Sequence, residues 1–195
     1  MLINLEDIDT STWEKLETAT RTPNASFRFL NLCSVDGEGK PQARTVVLRR
    51  VDRVTRVFEF HTDVRSPKWL EISVNPQVTA LGYCGETRLQ LRLQGIAELH
   101  GSESAVAITA WNRLPAHTRR TYAGGPPGDE QPVDPVAEQA LLISTNEAEG
   151  KAHFGVIILR VSVLDWYQLQ RENNRRARLT YNDKGITTSH RWINP

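Results

Sequence analysis

The sequence predicts a mainly β chain, folded as a closed or partly closed antiparallel barrel with helices packed outside. Three observations predict it. Strand-like segments follow one another and do not alternate with long helices, as a doubly wound nucleotide fold would require. The segment Thr87–Leu99 alternates cleanly, with Leu89, Leu91 and Leu93 on one side and Arg88, Gln90, Arg92 and Gln94 on the other. The helical segments are short and sit apart, at the N-terminus and in an insertion at about 102–145.

Taken in order, Ser11-Thr12-Trp13-Glu14 has capping-box spacing and predicts a short helix from about Thr12 to Thr20. Phe27–Val35 reads as a strand and Asp36–Gln42 as the turn after it. Ala43–Val51 and Arg56–His61 are the next strands, joined by a polar turn near Asp52–Arg53. Pro67–Ser73 is a short helix, because proline at its first position has the right φ and needs no partner for a missing N–H, and Asn75-Pro76 stops it. Val78–Cys84 and Thr87–Leu99 are strands around the turn Gly85-Glu86-Thr87, and Gly95 marks a bulge or a close backbone approach. Ser102–Leu114 and Ala116–Tyr122 read as helical. A Gly- and Pro-rich loop, AGGPPGDEQPVDP, then leads to a helix at about Pro135–Ile143. Phe154–Leu169 is one long strand or two short ones, Arg176–Asp183 another, and Arg191–Pro195 a last edge.

At 195 residues the chain reads as a single domain over 1–195, long enough to bury a core. Its net charge of +1 gives no general attraction to nucleic acid or to anionic membrane, so any anion-binding charge must be local. The start MLINLEDIDTSTWEK shows no signal peptide, and no apolar run is long enough to span a bilayer, which points to a cytoplasmic protein. Two cysteines, Cys33 and Cys84, and five scattered histidines fit no metal-ligand spacing and no disulfide framework.

The segment from His61 to Lys68, HTDVRSPK, delivers Arg65, Ser66 and Lys68 from a strand to the start of a helix. Free N–H groups, the positive end of the helix dipole and a lysine ammonium would converge there on one anion. The competing reading is a helix capped by Ser66 or Asp63; cations in the first turn favour the anion. Arg44 and Arg49 flank four apolar or neutral residues. Five positions apart, they point to opposite faces of a regular strand and stand roughly 16 Å apart, so alone they read first as solvent-facing arginines of an ordinary barrel strand. Gln90 and Arg92 lie on the polar face of their strand, which is either solvated or aimed at the polar edge of a ring ligand. The Arg-rich tail Gln170–Asp183 reads as a solvated hairpin, with few aromatic residues near it to support nucleic-acid binding. Trp166 and Trp192 read as core or interface residues.

Together, RTVVLR (Arg44–Arg49), FHTDVRSPK (Phe60–Lys68), NPQVTALGY (Asn75–Tyr83), RLQLRLQGIAE (Arg88–Glu98) and a late DWYQL…RARLTY (Asp165–Tyr181) before W-I-N-P resemble the pyridoxamine 5′-phosphate oxidase-related FMN-binding family. The resemblance implies a split, Greek-key antiparallel β-barrel that binds FMN at a homodimer interface. It implies that Arg44, Ser66 and Lys68 contact the FMN phosphate, with Arg65 beside them. It also implies that Thr45, Val46, Val47, Leu48 and Arg49 run along the flavin, and that His61 and Thr62 contact it through backbone and hydroxyl groups. Gln90 matches the glutamine that bonds the flavin, and Trp166 and Arg178 the late pair that completes the site, the tryptophan after a two-residue shift. Arg49 is placed near flavin or substrate, and no residue is assigned as catalytic outright.

The chain departs from the true oxidase in its late substrate motif. Asn174-Arg175-Arg176 stands where that enzyme has Arg-x-His, and Pro67-Lys68 where it has Arg-Lys. Its substrate phosphate would fall near Trp111–Tyr122, where Arg113, Arg119 and Arg120 are candidates. The resemblance therefore implies an FMN-dependent oxidoreductase with a small-molecule substrate left unassigned. The alternatives are oxidation of pyridoxamine or pyridoxine phosphate itself, and a non-catalytic flavin-binding or sensing protein.

Overall fold

The computed structural model describes residues 4–130 and 147–195. Within them eight strands form one antiparallel sheet: β1 (Phe29–Val35), β2 (Pro41–Asp52), β3 (Val57–Asp63), β4 (Gln77–Cys84), β5 (Leu89–His100), β6 (Phe154–Gln168), β7 (Arg175–Tyr181) and β8 (Thr187–Ile193). Their order is β3-β2-β1-β4-β5-β6-β7-β8, and a further β3–β6 pairing closes the first six into a barrel. The split is made by β6. One of its edges follows β5 along its length. The other pairs with β3 over Phe154–Arg160 and then passes to β7 over Val163–Gln168. The chain is the mainly β antiparallel barrel that its strand succession predicts, with the split that the family resemblance implies.

The core follows from period-2 burial. Leu30 and Leu32, Phe58 and Phe60, and Leu89, Leu91 and Leu93 all point inward and are buried. The bulge expected at Gly95 is present as a register shift between Gln94 and Gly95. The approach is close as well: a Cβ at Gly95 would lie 1.9 Å from the Arg160 carbonyl oxygen.

Helix α1 (Leu5–Ala19) starts earlier than Thr12, where the capping-box spacing placed it. Asn4 is the cap, accepting from the Asp7 amide at 2.6 Å, and Glu6 and Asp7 suit the first turn electrostatically. Ser11 and Glu14 therefore fall mid-helix. The helix buries Ile8, Trp13 and Leu16 against the barrel. Helix α2 (Pro67–Val74) covers one barrel end and buries Glu71 and Ile72. Helix α3 (Ala105–Arg113), capped by Ser104, packs Ala107, Ala110 and Trp111 on Phe154 and Val156 in a second, smaller core. Helices α4 (Ala116–Arg120) and α5 (Glu147–His153) complete the insertion. The helix expected at Pro135–Ile143 lies outside the described residues. The late strands differ at their ends: β6 is one continuous strand, and β8 begins at Thr187 rather than Arg191.

Candidate functional site

The residues singled out in the sequence fall into separate places, and strand parity decides which. On β2, Arg44 has the same parity as the buried Val46 and Leu48. On β3, Thr62 has the parity of Phe58 and Phe60. Both therefore face the barrel end that α2 covers, where Ser66 and Lys68 begin that helix. Lys68 Nζ donates to Thr62 Oγ1 at 3.1 Å, and the hydroxyls of Thr62 and Ser66 lie 3.2 Å apart. Arg44 donates to the Leu32 carbonyl, to Ser34 Oγ and, at 2.7 Å, to Glu71 Oε2. Burial first, then the nearby Arg44 charge, hold the Lys68 ammonium below the usual lysine range.

Ser66 does not cap α2 with its side chain; its hydroxyl donates to the Asp63 carbonyl at 2.6 Å. The first turn has no acidic residue. Pro67 has no N–H, and the Trp69 and Leu70 amides both reach the Ser66 carbonyl. The Lys68 amide is therefore the one first-turn N–H without a backbone partner among the described residues. The helix start offers one amide rather than several; the rest of the positive field comes from side chains.

Arg65 stands outside this cluster. It is held by Asp63 at 2.7 Å and donates to the Gly124 carbonyl at 2.9 Å, which ties the 121–130 segment to the start of α2.

Arg49 and His61 face a different space. The register of β2 against β3 jumps between Leu48 and Arg50, so Arg49 is the extra residue of a bulge. The buried positions on β2 accordingly change spacing, from Val46 and Leu48 to Val51. Arg49, Arg50, Glu59, His61 and Arg113 line a cavity of about 670 Å³ between the β2–β3 ribbon, the end of α1 and α3. His61 Nε2 meets Glu59 Oε1 at 2.9 Å, and its ring stands edge-on to Phe154. Burial pushes the Glu59 carboxyl up, but the His61 hydrogen bond and the charges of His61, Arg50 and Arg113 prevail and leave it below the usual range.

Gln90 and Arg178 lie on the outer face of the sheet. One row across the strands runs Tyr83, Gln90, Tyr167, Arg176; the next runs Leu81, Arg92, Asp165, Arg178. Asp165, only 2% exposed, accepts from Arg92 at 2.6 Å and from Arg176 at 2.9 Å, with Arg178 at 3.7 Å. Burial raises this carboxyl, but the Arg176 and Arg92 contacts outweigh it and the net direction is down. Trp166 is not on this face. It is buried in the core and meets the Trp192 ring at 6.4 Å. On β2, Val46 and Leu48 are core residues, while Thr45 and Val47 face outward, Thr45 bonding Asn31.

Sequence reasoning passed over Ser34, Glu59, Glu71 and Asp165. Each had a signal: Ser34 continues the buried parity of Leu30 and Leu32, and Glu59, Glu71 and Asp165 are acidic residues set within apolar runs.

A family model described as the FMN-binding domain of pyridoxamine 5′-phosphate oxidase matches residues 10–101. A pyridoxine/pyridoxamine 5′-phosphate oxidase from Rubrobacter xylanophilus is 36% identical over 97 residues, 50% of this chain and 42% of that protein. Another from Burkholderia thailandensis is 30% identical over 143 residues, 73% of this chain and 61% of the relative. The chain spans less than half of the length of the first curated relatives it matches, 41–46%. Among solved structures, a pyridoxamine 5′-phosphate oxidase-related, FMN-binding protein from Nostoc punctiforme superposes with a TM-score of 0.79 at 25% identity, covering 100% of both chains. PhzG from Burkholderia lata, solved with tetrahydrophenazine-1-carboxylic acid, has the same fold, with a TM-score of 0.73 at 19% identity over 95% of this chain and 90% of that one. With its strand order and its β6 split, the chain has the fold of the FMN-binding split barrels and is similar to pyridoxamine 5′-phosphate oxidase-related proteins, most clearly over residues 10–101.

Proposed function

We propose that the protein is an FMN-dependent oxidoreductase that works as a homodimer on a small anionic substrate. One observation carries the cofactor assignment: Arg44 and Lys68 are brought together beside the hydroxyls of Thr62 and Ser66 at a helix start without acidic residues. Burial and, after it, the neighbouring Arg44 charge hold the Lys68 ammonium below its usual range. A phosphate would counter both, accepting from the guanidinium, the ammonium, the hydroxyls and the Lys68 amide. The donor set fits the phosphate end of FMN.

Bound FMN would supply the electron acceptor for a substrate C–H bond. The chain supplies position and charge. Arg49, on its bulge, and Arg113, on α3, face one cavity whose size suits a small molecule. Their guanidiniums favour a substrate with a carboxylate or phosphate group. Glu59 holds the His61 imidazole in one orientation at the cavity wall.

Two features support a homodimer. Phe29, Tyr83 and Ile96 are half-exposed apolar residues on β1, β4 and β5. Gln90 also sits three strand spacings from β2, roughly 14 Å around the sheet, so one chain does not close both groups of residues on one flavin. A second copy would bring its own Gln90 and Arg178 to the cradle of the first.

A second reading, oxidation of pyridoxamine or pyridoxine phosphate, is favoured by the names of the aligned relatives. Weighing against it, Arg176 is spent on Asp165 through two hydrogen bonds in place of a free substrate histidine. The test is direct. Purified protein should be yellow, and denaturation should release FMN, identified by absorbance and chromatography. Sedimentation should give a dimer. Anaerobic mixing with pyridoxamine phosphate and with other anionic donors should bleach the flavin with one class only. A protein that releases no flavin and takes up none excludes the proposal; one that binds FMN tightly while no donor reduces it is a flavin carrier.

A further inference from the structure

We propose that Glu71 is a positioning residue of the phosphate cradle. It aims Arg44 at the anion and, by its own charge, keeps the affinity below what Arg44 and Lys68 would give without it. The inference rests on the cradle holding the FMN phosphate.

Three chain segments converge to make the arrangement. Ser34 continues the inward parity of Leu30 and Leu32 on β1. Arg44 lies opposite Leu32 on β2. Glu71 comes down from α2, one turn after Lys68, and is buried together with Ile72. Glu71 Oε2 accepts from both Ser34 Oγ and Arg44 Nη2, the latter at 2.7 Å, and Arg44 Nη1 donates to Ser34 and to the Leu32 carbonyl. The guanidinium has five N–H donors, and these bonds use three. The remaining two have no partner among the described residues.

A carboxylate this close to a phosphate site needs a reason. Arg44 is a long side chain that would otherwise lose much rotamer freedom on gripping an anion. Anchored at three points, it loses little. The same carboxylate neutralises one of two adjacent, partly buried cations before any anion arrives. Both benefits come with a repulsion between Glu71 and the bound phosphate.

The two roles separate by substitution. Glu71→Gln keeps an oxygen to accept from Arg44 and removes the charge, so FMN should bind about five- to tenfold more tightly, the scale of one screened charge at this range. Glu71→Ala removes the anchor too and should bind FMN about tenfold more weakly. Riboflavin, which lacks the phosphate, should bind all three proteins alike. Flavin fluorescence titrations with FMN and with riboflavin read these constants. If Glu71→Ala does not fold, Ser34→Ala, which removes the hydroxyl bridging Glu71 and Arg44, takes its place and should also weaken FMN. Unchanged or weaker FMN binding by Glu71→Gln, or riboflavin constants that move with those for FMN, would overturn the role of Glu71. A wild-type protein that prefers FMN to riboflavin leaves the cradle assignment standing in that case. A wild type that does not distinguish the two overturns the cradle and this inference together.

Discussion

The Tyr181 hydroxyl donates to Asp9 Oδ1 at 2.6 Å, joining β7 to the first helix. Around this bond, Arg56 Nη2 meets Asp9 Oδ2 at 2.6 Å, and Trp13 Nε1 donates to the tyrosine oxygen at 3.1 Å. The guanidinium also lies 5.0 Å from the ring centres of Trp13 and Tyr181. Burial and the Asp9 charge raise the phenol above its ordinary range, so it stays a donor. Tyr181→Phe should cost about 1–3 kcal/mol, because it strips a partner from Asp9 and from the buried Trp13 N–H. Asp9→Ala should cost about 3–5 kcal/mol by leaving Arg56 unpaired. Urea denaturation measures both, and limited proteolysis should show cutting of α1 first in the alanine variant.

Gly95→Ala should be among the most damaging single-methyl additions in the barrel. The new Cβ would meet the Arg160 carbonyl at 1.9 Å, and that atom is backbone in the β5–β6 ladder. A loss of about 4 kcal/mol or more is expected. The thermal midpoint should fall by many degrees, or the protein should accumulate insoluble.

Lys68 gives a pH signature. Its folded-state ammonium titrates below the ordinary 10.5, so between the folded value and 10.5 the unfolded chain binds the extra proton and ligand-free stability rises with pH until 10.5 is passed. Phosphate binding needs the protonated form, so FMN affinity should fall as pH rises through the same window. Lys68→Met should remove both trends and bind FMN at least tenfold more weakly at neutral pH. A flat wild-type profile, measured by FMN titration against pH, would count against the assigned lysine.

Asp165 gives the same sign in an acidic window. Its carboxyl is depressed in the fold, so the stability it contributes is present above the ordinary 3.8 and is lost as pH falls through the lower folded value. Asp165→Ala should cost about 3–5 kcal/mol at neutral pH, since it leaves Arg92, Arg176 and Arg178 clustered without their counter-charge. The gap between wild type and variant should close below 3.8, which denaturation at a series of pH values would show.

The strands were legible because one face of each is buried and the side-chain period is two. Leu89, Leu91 and Leu93 announce β5, and Gly95 announces its bulge, because no other residue fits against Arg160. Helix α2 was legible from Pro67 and Asn75-Pro76, whose backbone limits are local. The start of α1 was not, because two cap signals compete and the earlier one, Asn4, wins when Ile8 joins Trp13 and Leu16 in the core.

The sequence by itself determined the mainly β barrel, the proline-opened helix and the meeting of Thr62, Ser66 and Lys68 within seven residues. Each of these rests on local backbone preference or on burial parity. Strand parity already sets Arg44 and Arg49 on opposite faces, and only the tertiary structure decided which space each one lines. The bulge at Arg49 depends on how β2 registers against β3. It also decided that Arg65 holds a loop, that Trp166 is a core residue and that Glu71 sits among the cations. Those outcomes depend on which distant partner satisfies a buried charge or ring, and sequence spacing carries no information about such partners.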